Sequence, residues 1–195
     1  VAKCAKLNSK REVLAAFGAD VKGYKGRENH VDLFVGSELA PRFFGWGIPT
    51  GPSEGRIGLA TVLPHRPKTF FRDYFRKGAP SKLLGNAKIV NLISGLIPFG
   101  TRNPSYTDNV VLTGDAAGMA KPTSGGGIYS GLISADAAFE VVDKALQKET
   151  FDSKTLSPYQ DLIKKRIGGE LSKGSHLRRA FLSLNDKQLS EIISI

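Results

Sequence analysis

The chain has 195 residues, 41% hydrophobic and 24% charged, and 28 Lys and Arg against 18 Asp and Glu leave it +10 at pH 7. That suits one domain or a small domain with an appendage, with an anionic partner that the charge alone does not choose among nucleic acid, phosphate ligand and membrane surface. A single cysteine, Cys4, excludes an intramolecular disulfide framework and a cysteine-based zinc site, three scattered histidines (His30, His65, His176) disfavour a histidine-rich metal centre, and no apolar run approaches the roughly 20 residues that span a bilayer.

Residues 11–25 are weakly patterned, and Val31–Gly36 alternate as a strand does. Pro41 opens a dense aromatic stretch, Arg42-Phe43-Phe44-Gly45-Trp46-Gly47-Ile48-Pro49. Turn residues follow over 50–55, then a second β run over 56–62, so the pair reads as a hairpin. Pro67 suits the first position of a short helix reaching about Lys77. Residues 88–98 read as an apolar strand, 101–108 as loop, and 109–113 as a short buried strand running into Gly114-Asp115. The clearest helix covers 125–147, where Ile128, Leu132, Ala135, Phe139, Val142 and Leu146 recur at helical spacing and predict the buried face; Ser130, Ser134, Glu140 and Lys144 are expected on the surface. From 155 onward the chain reads as polar-amphipathic helix, broken at Gly168-Gly169 and near Asn185. The fold class is α+β.

Chemistry concentrates in Val110-Val111-Leu112-Thr113-Gly114-Asp115-Ala116-Ala117-Gly118, followed by Pro122 and Gly125-Gly126-Gly127-Ile128. A buried strand ends in a glycine that permits close approach and a carboxylate that can accept hydroxyl groups. Three glycines then lead into a long helix whose first amides are free of side chains and favour an anion or a polarised carbonyl. A glycine-rich turn capped by Asp115 accounts for the same residues about as well. The G-x-G-x-x-G pattern is absent, since Ser130 stands where its third glycine belongs, and no phosphate-binding P-loop is present.

These residues resemble the second flavin-binding motif of the p-hydroxybenzoate-hydroxylase-like FAD enzymes. The resemblance implies FAD as cofactor. It places Asp115 on the ribityl chain, Gly125–Gly127 near the pyrimidine edge of the flavin ring, and the helix starting near Ile128 with its N-terminus toward the flavin. Gly114, Ala116, Gly118 and Pro122 complete the implied cofactor set. A second stretch, Pro41 to Pro49 with Gly58 in the next strand, resembles the P-x-x-Y-x-W-x-F-P signature of geranylgeranyl reductases, with Phe44 in place of Tyr and Ile48 in place of Phe. Without the flavin motif, these aromatics would read as ordinary core.

The resemblance, over about residues 30–147, implies an FAD-dependent oxidoreductase that reduces C=C bonds of geranylgeranyl or polyprenyl chains in membrane-lipid or chlorophyll-type precursors. Phe44, Trp46, Ile48 and Pro49 are the implied substrate wall. No catalytic residue and no metal ligand is identified. The implied architecture is an antiparallel β-sheet substrate domain (1–108), the C-terminal part of an FAD-binding α/β domain (109–147) and a helical tail (148–195). Because the chain opens at Val1 and lacks the dinucleotide fingerprint, it is expected to be the C-terminal half of a protein about twice as long, binding FAD weakly or not at all by itself. Expected partners are the polyprenyl lipid, a reduced nicotinamide or ferredoxin as electron donor, and an anionic membrane surface; the expected location is cytoplasmic, at the inner face of the cell membrane. Rival readings are an aromatic monooxygenase or a quinone-linked electron-transfer flavoprotein on the same scaffold, and a basic nucleic-acid module.

Residues 65–88 carry Arg66, Lys68, Arg72, Arg76, Lys77, Lys82 and Lys88 against Asp73 alone, interleaved with Phe70, Phe71, Tyr74 and Phe75. A solvated basic face over buried aromatics is the commoner outcome of such a pattern; a ledge for anionic lipid is the functional alternative. Lys164-Lys165-Arg166 and Arg178-Arg179 are expected on exposed helix faces, Cys4 is expected to be structural or incidental, and Met119 either lines the flavin or simply packs.

Overall fold

The computed structural model describes residues 1–7, 11–74 and 76–193. Phe75, one of the interleaved aromatics, and the last two positions of the expected helical tail lie outside them. The elements are strands β1 (Glu12–Lys22), β2 (Asp32–Val35), β3 (Phe44–Gly51), β4 (Glu54–Val62), β5 (Lys88–Phe99), β6 (Tyr106–Thr107) and β7 (Val110–Val111), and helices α1 (Pro67–Tyr74), α2 (Gly78–Leu84), α3 (Ile128–Gln147), α4 (Ser153–Leu156), α5 (Pro158–Ile163), α6 (Gly169–Ser183) and α7 (Asp186–Ile193). A 3₁₀ turn covers Gly114–Ala117 and a π-turn covers Lys164–Gly168. The fold is the expected mixture of an antiparallel sheet and helices.

The chain forms two compact units, Val1–Glu12 with Ile97–Phe181, and Val13–Leu96 with Leu182–Ile195. These units divide the chain at other places than 108 and 148. Residues 97–108 pack in the unit that holds the strand–loop–helix segment, and 182–193 pack in the sheet unit.

In the sheet unit the five strands run in the order β2-β3-β4-β1-β5, with β1 antiparallel to β4, β4 to β3 and β3 to β2. The expected hairpin is β3–β4, tightly turned at Pro52-Ser53, where Ser53 adopts a left-handed φ of 55°. Strand β1 fills the weakly patterned stretch: its run of Ala and Gly hides the alternation, yet Leu14, Ala15, Ala19 and Val21 are buried. Side chains alternate between the faces of a strand, so Gly45 and Gly47 of β3 face one side and Phe44, Trp46 and Ile48 the other. The glycine side is the core. There Phe34, Ile57, Leu59, Phe71, Tyr74 and Leu84 cluster beneath α1 and α2. The glycines make room for this protein's own rings: a Cβ at Gly47 would lie 2.2 Å from the Tyr24 hydroxyl, and one at Gly45 would lie 1.0 Å from that of Tyr74. Tyr24 donates to Asp32 Oδ2 at 2.8 Å, whereas the buried Tyr74 hydroxyl finds no partner among the described residues. Burial pushes the pKa of both phenols well above the usual value near 10.

In the other unit, α3 buries a face opposite to the expected one. Ser130, Ser134, Ala137, Val141 and Ala145 are buried, while Ile128 is 84% exposed and Leu132, Phe139 and Leu146 are exposed with it. Both stripes have helical period, and period alone does not say which faces inward. Small side chains let α5 and the 3₁₀ turn approach α3 closely, and the serine hydroxyls are satisfied locally, Ser130 Oγ donating to the Gly127 carbonyl (3.2 Å) and Ser134 Oγ to that of Gly131 (2.9 Å). The expected strand over 109–113 reduces to β7, which pairs with β6 inside the expected loop. Arg178, expected on an exposed face, is buried: it donates to Glu12 Oε1 at 2.6 Å and stacks 4.7 Å over the Phe99 ring, which compensates the desolvated charge. Arg166 pairs with Asp136 (2.7 Å) and with Glu140, while Lys164, Lys165 and Arg179 are exposed as expected.

Candidate functional site

The strand–loop–helix segment is built from the bottom of α3. Tyr159 Oη donates to the Leu112 carbonyl at 2.7 Å and holds the strand end. Gly114 then donates its N–H to Ser134 Oγ at 2.9 Å, tying the start of the 3₁₀ turn to the middle of α3. Gly118 ends that turn in a left-handed conformation (φ 72°), its N–H donating to the Asp115 carbonyl at 2.9 Å and the Met119 N–H to that of Gly114 at 3.1 Å. Arg102, itself buried, clamps the turn from below by donating to the Ala116 carbonyl at 3.0 Å from Nε and to the Ala117 carbonyl at 3.0 Å from its backbone N–H. The return loop closes through Lys121 N–H to the Gly126 carbonyl (2.9 Å) and Gly125 N–H to the Lys121 carbonyl (2.8 Å).

This backbone network brings Asp115 to the N-terminus of α3. A Cβ at Gly127 would lie 2.7 Å from Asp115 Oδ1, so the bare backbone of Gly127 is what admits the carboxylate there. Asp115 does not cap the helix: the cap residue Gly127 provides no side-chain bond, and no described residue donates to the Asp115 carboxylate. The first turn of α3 contains no acidic residue either. An exposed carboxylate thus stands beside a helix end whose amides no side chain satisfies, a combination that suits one ligand bearing both hydroxyl donors and an electron-rich edge. Ala116, Gly126 and Ile128 are exposed around it, and Gly114, Gly125 and Gly127 are half-exposed.

Two members of the expected set face elsewhere. Gly118 is buried, and Pro122 is buried with its Cδ 3.3 Å from the Cβ position of Gly174 in α6, so both shape the loop. Met119 is fully buried and bridges Phe99, so it packs. Sequence reasoning did not single out Arg102 or assign Ser134 its anchoring role. The signal for Ser134 was the second helical stripe of small residues, eclipsed by larger apolar neighbours.

The expected substrate wall lies in the sheet unit. Phe44, Trp46 and Ile48 occupy the face of β3 opposite α1 and α2, and with Pro49 all are half-buried. Phe43 stacks on Phe44 at 4.3 Å, Phe44 meets Trp46 edge-on at 6.3 Å, and the Trp46 ring lies across Gly58, where a Cβ would come within 2.5 Å. The result is an apolar aromatic surface with no hydroxyl at residue 44. On the same face of the sheet Arg56 donates to Asp20 Oδ1 at 2.8 Å, and this bond holds the Asp20 carboxyl below the usual carboxylate range. Among the described residues no cluster of His, Cys, Asp and Glu is placed to hold a metal, and no helix is long and apolar enough to cross a membrane.

No family model matches the sequence. An uncharacterized protein of Methanocaldococcus jannaschii is 32% identical over 186 residues, covering 95% of this chain and 47% of that protein. Digeranylgeranylglycerophospholipid reductase 2 of Methanococcoides burtonii is 27% identical over 165 residues, 82% of this chain and 39% of the relative. Among solved structures, a geranylgeranyl bacteriochlorophyll reductase-like protein of Thermoplasma acidophilum superposes with a TM-score of 0.86 at 20% identity, over 96% of this chain and 48% of that one. A flavin-dependent brominase shares the fold less closely, with a TM-score of 0.62 at 15% identity over 83% of this chain and 43% of its own. The chain spans about half the length of the curated relatives it matches. By sequence the chain is thus similar to part of the digeranylgeranylglycerophospholipid reductases, and it shares the fold of a geranylgeranyl reductase-like protein.

Proposed function

We propose that the chain forms part of an FAD-dependent reductase that saturates C=C bonds of polyprenyl chains in lipid precursors. The observation that carries the flavin half of this reading is the unpaired Asp115 carboxylate set against the uncapped N-terminus of α3 over Gly127. The residues fit the cofactor: Asp115 would accept from ribityl hydroxyls, and the backbone at Gly125–Gly127 would receive the pyrimidine edge of the ring. When bound, reduced FAD supplies the hydride for one carbon of the alkene. The chain's own contribution is positioning and electrostatics, since the dipole of the 20-residue α3 favours negative charge at its N-terminal end.

The substrate half rests on the β3 surface. Phe44, Trp46 and Ile48 offer apolar area and no hydrogen-bond donor apart from the indole N–H, which suits a prenyl chain and disfavours the phenols and carboxylates that aromatic monooxygenases take. Reduced nicotinamide or ferredoxin is the proposed electron donor. The test uses the full-length gene product, reduced anaerobically with dithionite and freed of excess reductant. Addition of a geranylgeranylated glycerophospholipid should restore the oxidised flavin spectrum and yield a product heavier by two hydrogens per bond reduced. Hydroxylation of a phenolic substrate once oxygen is admitted, with no anaerobic reoxidation of the flavin by the lipid, would overturn the substrate assignment while leaving the flavin assignment standing.

A further inference from the structure

One surface of the sheet unit is cationic and aliphatic at once. Arg66, Lys68, Arg72 and Arg76, within α1 and at its two ends, are all exposed, and none of them pairs with a carboxylate among the described residues. The one acid in the sequence from 65 to 88, Asp73, pairs with Lys77 at 3.6 Å. Beside them runs β5, the edge strand of the sheet, and its Ile89, Val90, Leu92, Ile93 and Leu96 are each more than 40% exposed. Ile89 and Leu92 share a groove of 610 Å³ with the four cations. An unpaired edge strand lined with aliphatics is a hazard in water, and proteins commonly blunt such edges with charge or cover them.

The chemistry of an occupant follows from both halves of the groove. Four unpaired cations call for phosphate or carboxylate, and the aliphatic row calls for hydrocarbon. A nucleic acid satisfies the first and gains little from the second, because single strands are held by aromatic platforms. Here Phe71 and Tyr74 are buried in the core and Phe17 and Phe70 are half-buried, so among the described residues no phenylalanine or tyrosine ring of the groove stands exposed for stacking. A bilayer of anionic phospholipid satisfies both halves, with headgroup phosphates among the arginines and acyl chains against the aliphatics. At eight residues, α1 is too short to serve as a membrane helix by itself; the surface is composite, cations from the helix and hydrocarbon from the strand edge.

We propose that the groove between α1 and β5 docks on the surface of an anionic phospholipid bilayer. This inference is independent of the flavin reading. Co-sedimentation of the full-length gene product with mixed phosphatidylglycerol–phosphatidylcholine vesicles tests it, with pure phosphatidylcholine vesicles and duplex DNA as the other arms. Binding should favour the anionic vesicles. The variant R66Q/R72Q/R76Q should lower that binding roughly 100-fold, at about fivefold per cation removed. I89S/L92S should lower it by about tenfold without changing the net charge. All five positions are exposed, so thermal unfolding of both variants should match the parent. Equal binding to neutral vesicles, indifference to either variant, tighter binding to DNA, or no vesicle binding at all would each overturn the proposal.

Discussion

Asp115→Ala in the full-length gene product should weaken FAD binding by roughly 10- to 100-fold and leave the apoprotein as stable as the parent. A hydrogen bond to a charged acceptor contributes about 1.5–3 kcal/mol, and every 1.4 kcal/mol is about tenfold in affinity. Stability should not follow, because the exposed carboxylate bonds to no described residue and so has no role in holding the loop. The loop is held instead by backbone groups on Ser134, Arg102 and Tyr159. Asp115→Asn keeps an acceptor at the same place and should lose less affinity than alanine. Fluorescence titration of the apoprotein with FAD separates the outcomes. An alanine variant that binds FAD as tightly as the parent would remove Asp115 from the site.

Gly45→Ala is expected to be the most damaging single methyl in the sheet unit, costing about 3 kcal/mol of stability. The added Cβ would lie 1.0 Å from the Tyr74 hydroxyl and 2.4 Å from its Cζ, with the Gly58 carbonyl 3.1 Å away behind it. Tyr74 cannot give way, since it is fully buried between Phe34, edge-on at 5.8 Å, and Phe71, stacked at 6.1 Å. Tyr74→Phe alone should be near neutral or stabilising, because it removes a hydroxyl that has no partner among the described residues. Tyr74→Leu should recover part of the loss when combined with Gly45→Ala, which identifies the ring as the obstacle. Urea denaturation of the four proteins measures this; a Gly45→Ala midpoint equal to that of the parent would contradict the packing described.

The sequence was most legible where the physics is local. Turn residues at 50–55 marked the β3–β4 hairpin, and Pro67 marked the start of α1, because these residue types act on their own backbone. It was least legible where two readings share one period. In α3 the stripe from Ile128 to Leu146 and the stripe from Ser130 to Ala145 are equally helical, and close packing against α5 selected the smaller side chains. Arg178 was misread for a related reason, since only the fold brings Glu12 and Phe99 to it. Glycine in β3 and β4 gives the same lesson at closer range. Gly45, Gly47 and Gly58 leave room for the rings of Tyr74, Tyr24 and Trp46, whereas Gly127 leaves room for the Asp115 carboxylate. Bare backbone alone does not distinguish a ring of the protein from a site for a ligand; a carboxylate that bonds to no described residue favours the second reading at Gly127.

A flavin held by the turn over 114–118 and the N-terminal end of α3 would show in the visible absorbance spectrum of the purified full-length gene product. A yellow protein, with flavin bands that bleach on reduction and a content near one FAD per chain that falls in the Asp115→Ala variant, is the predicted result. A colourless protein that neither retains FAD nor binds it on titration would contradict it.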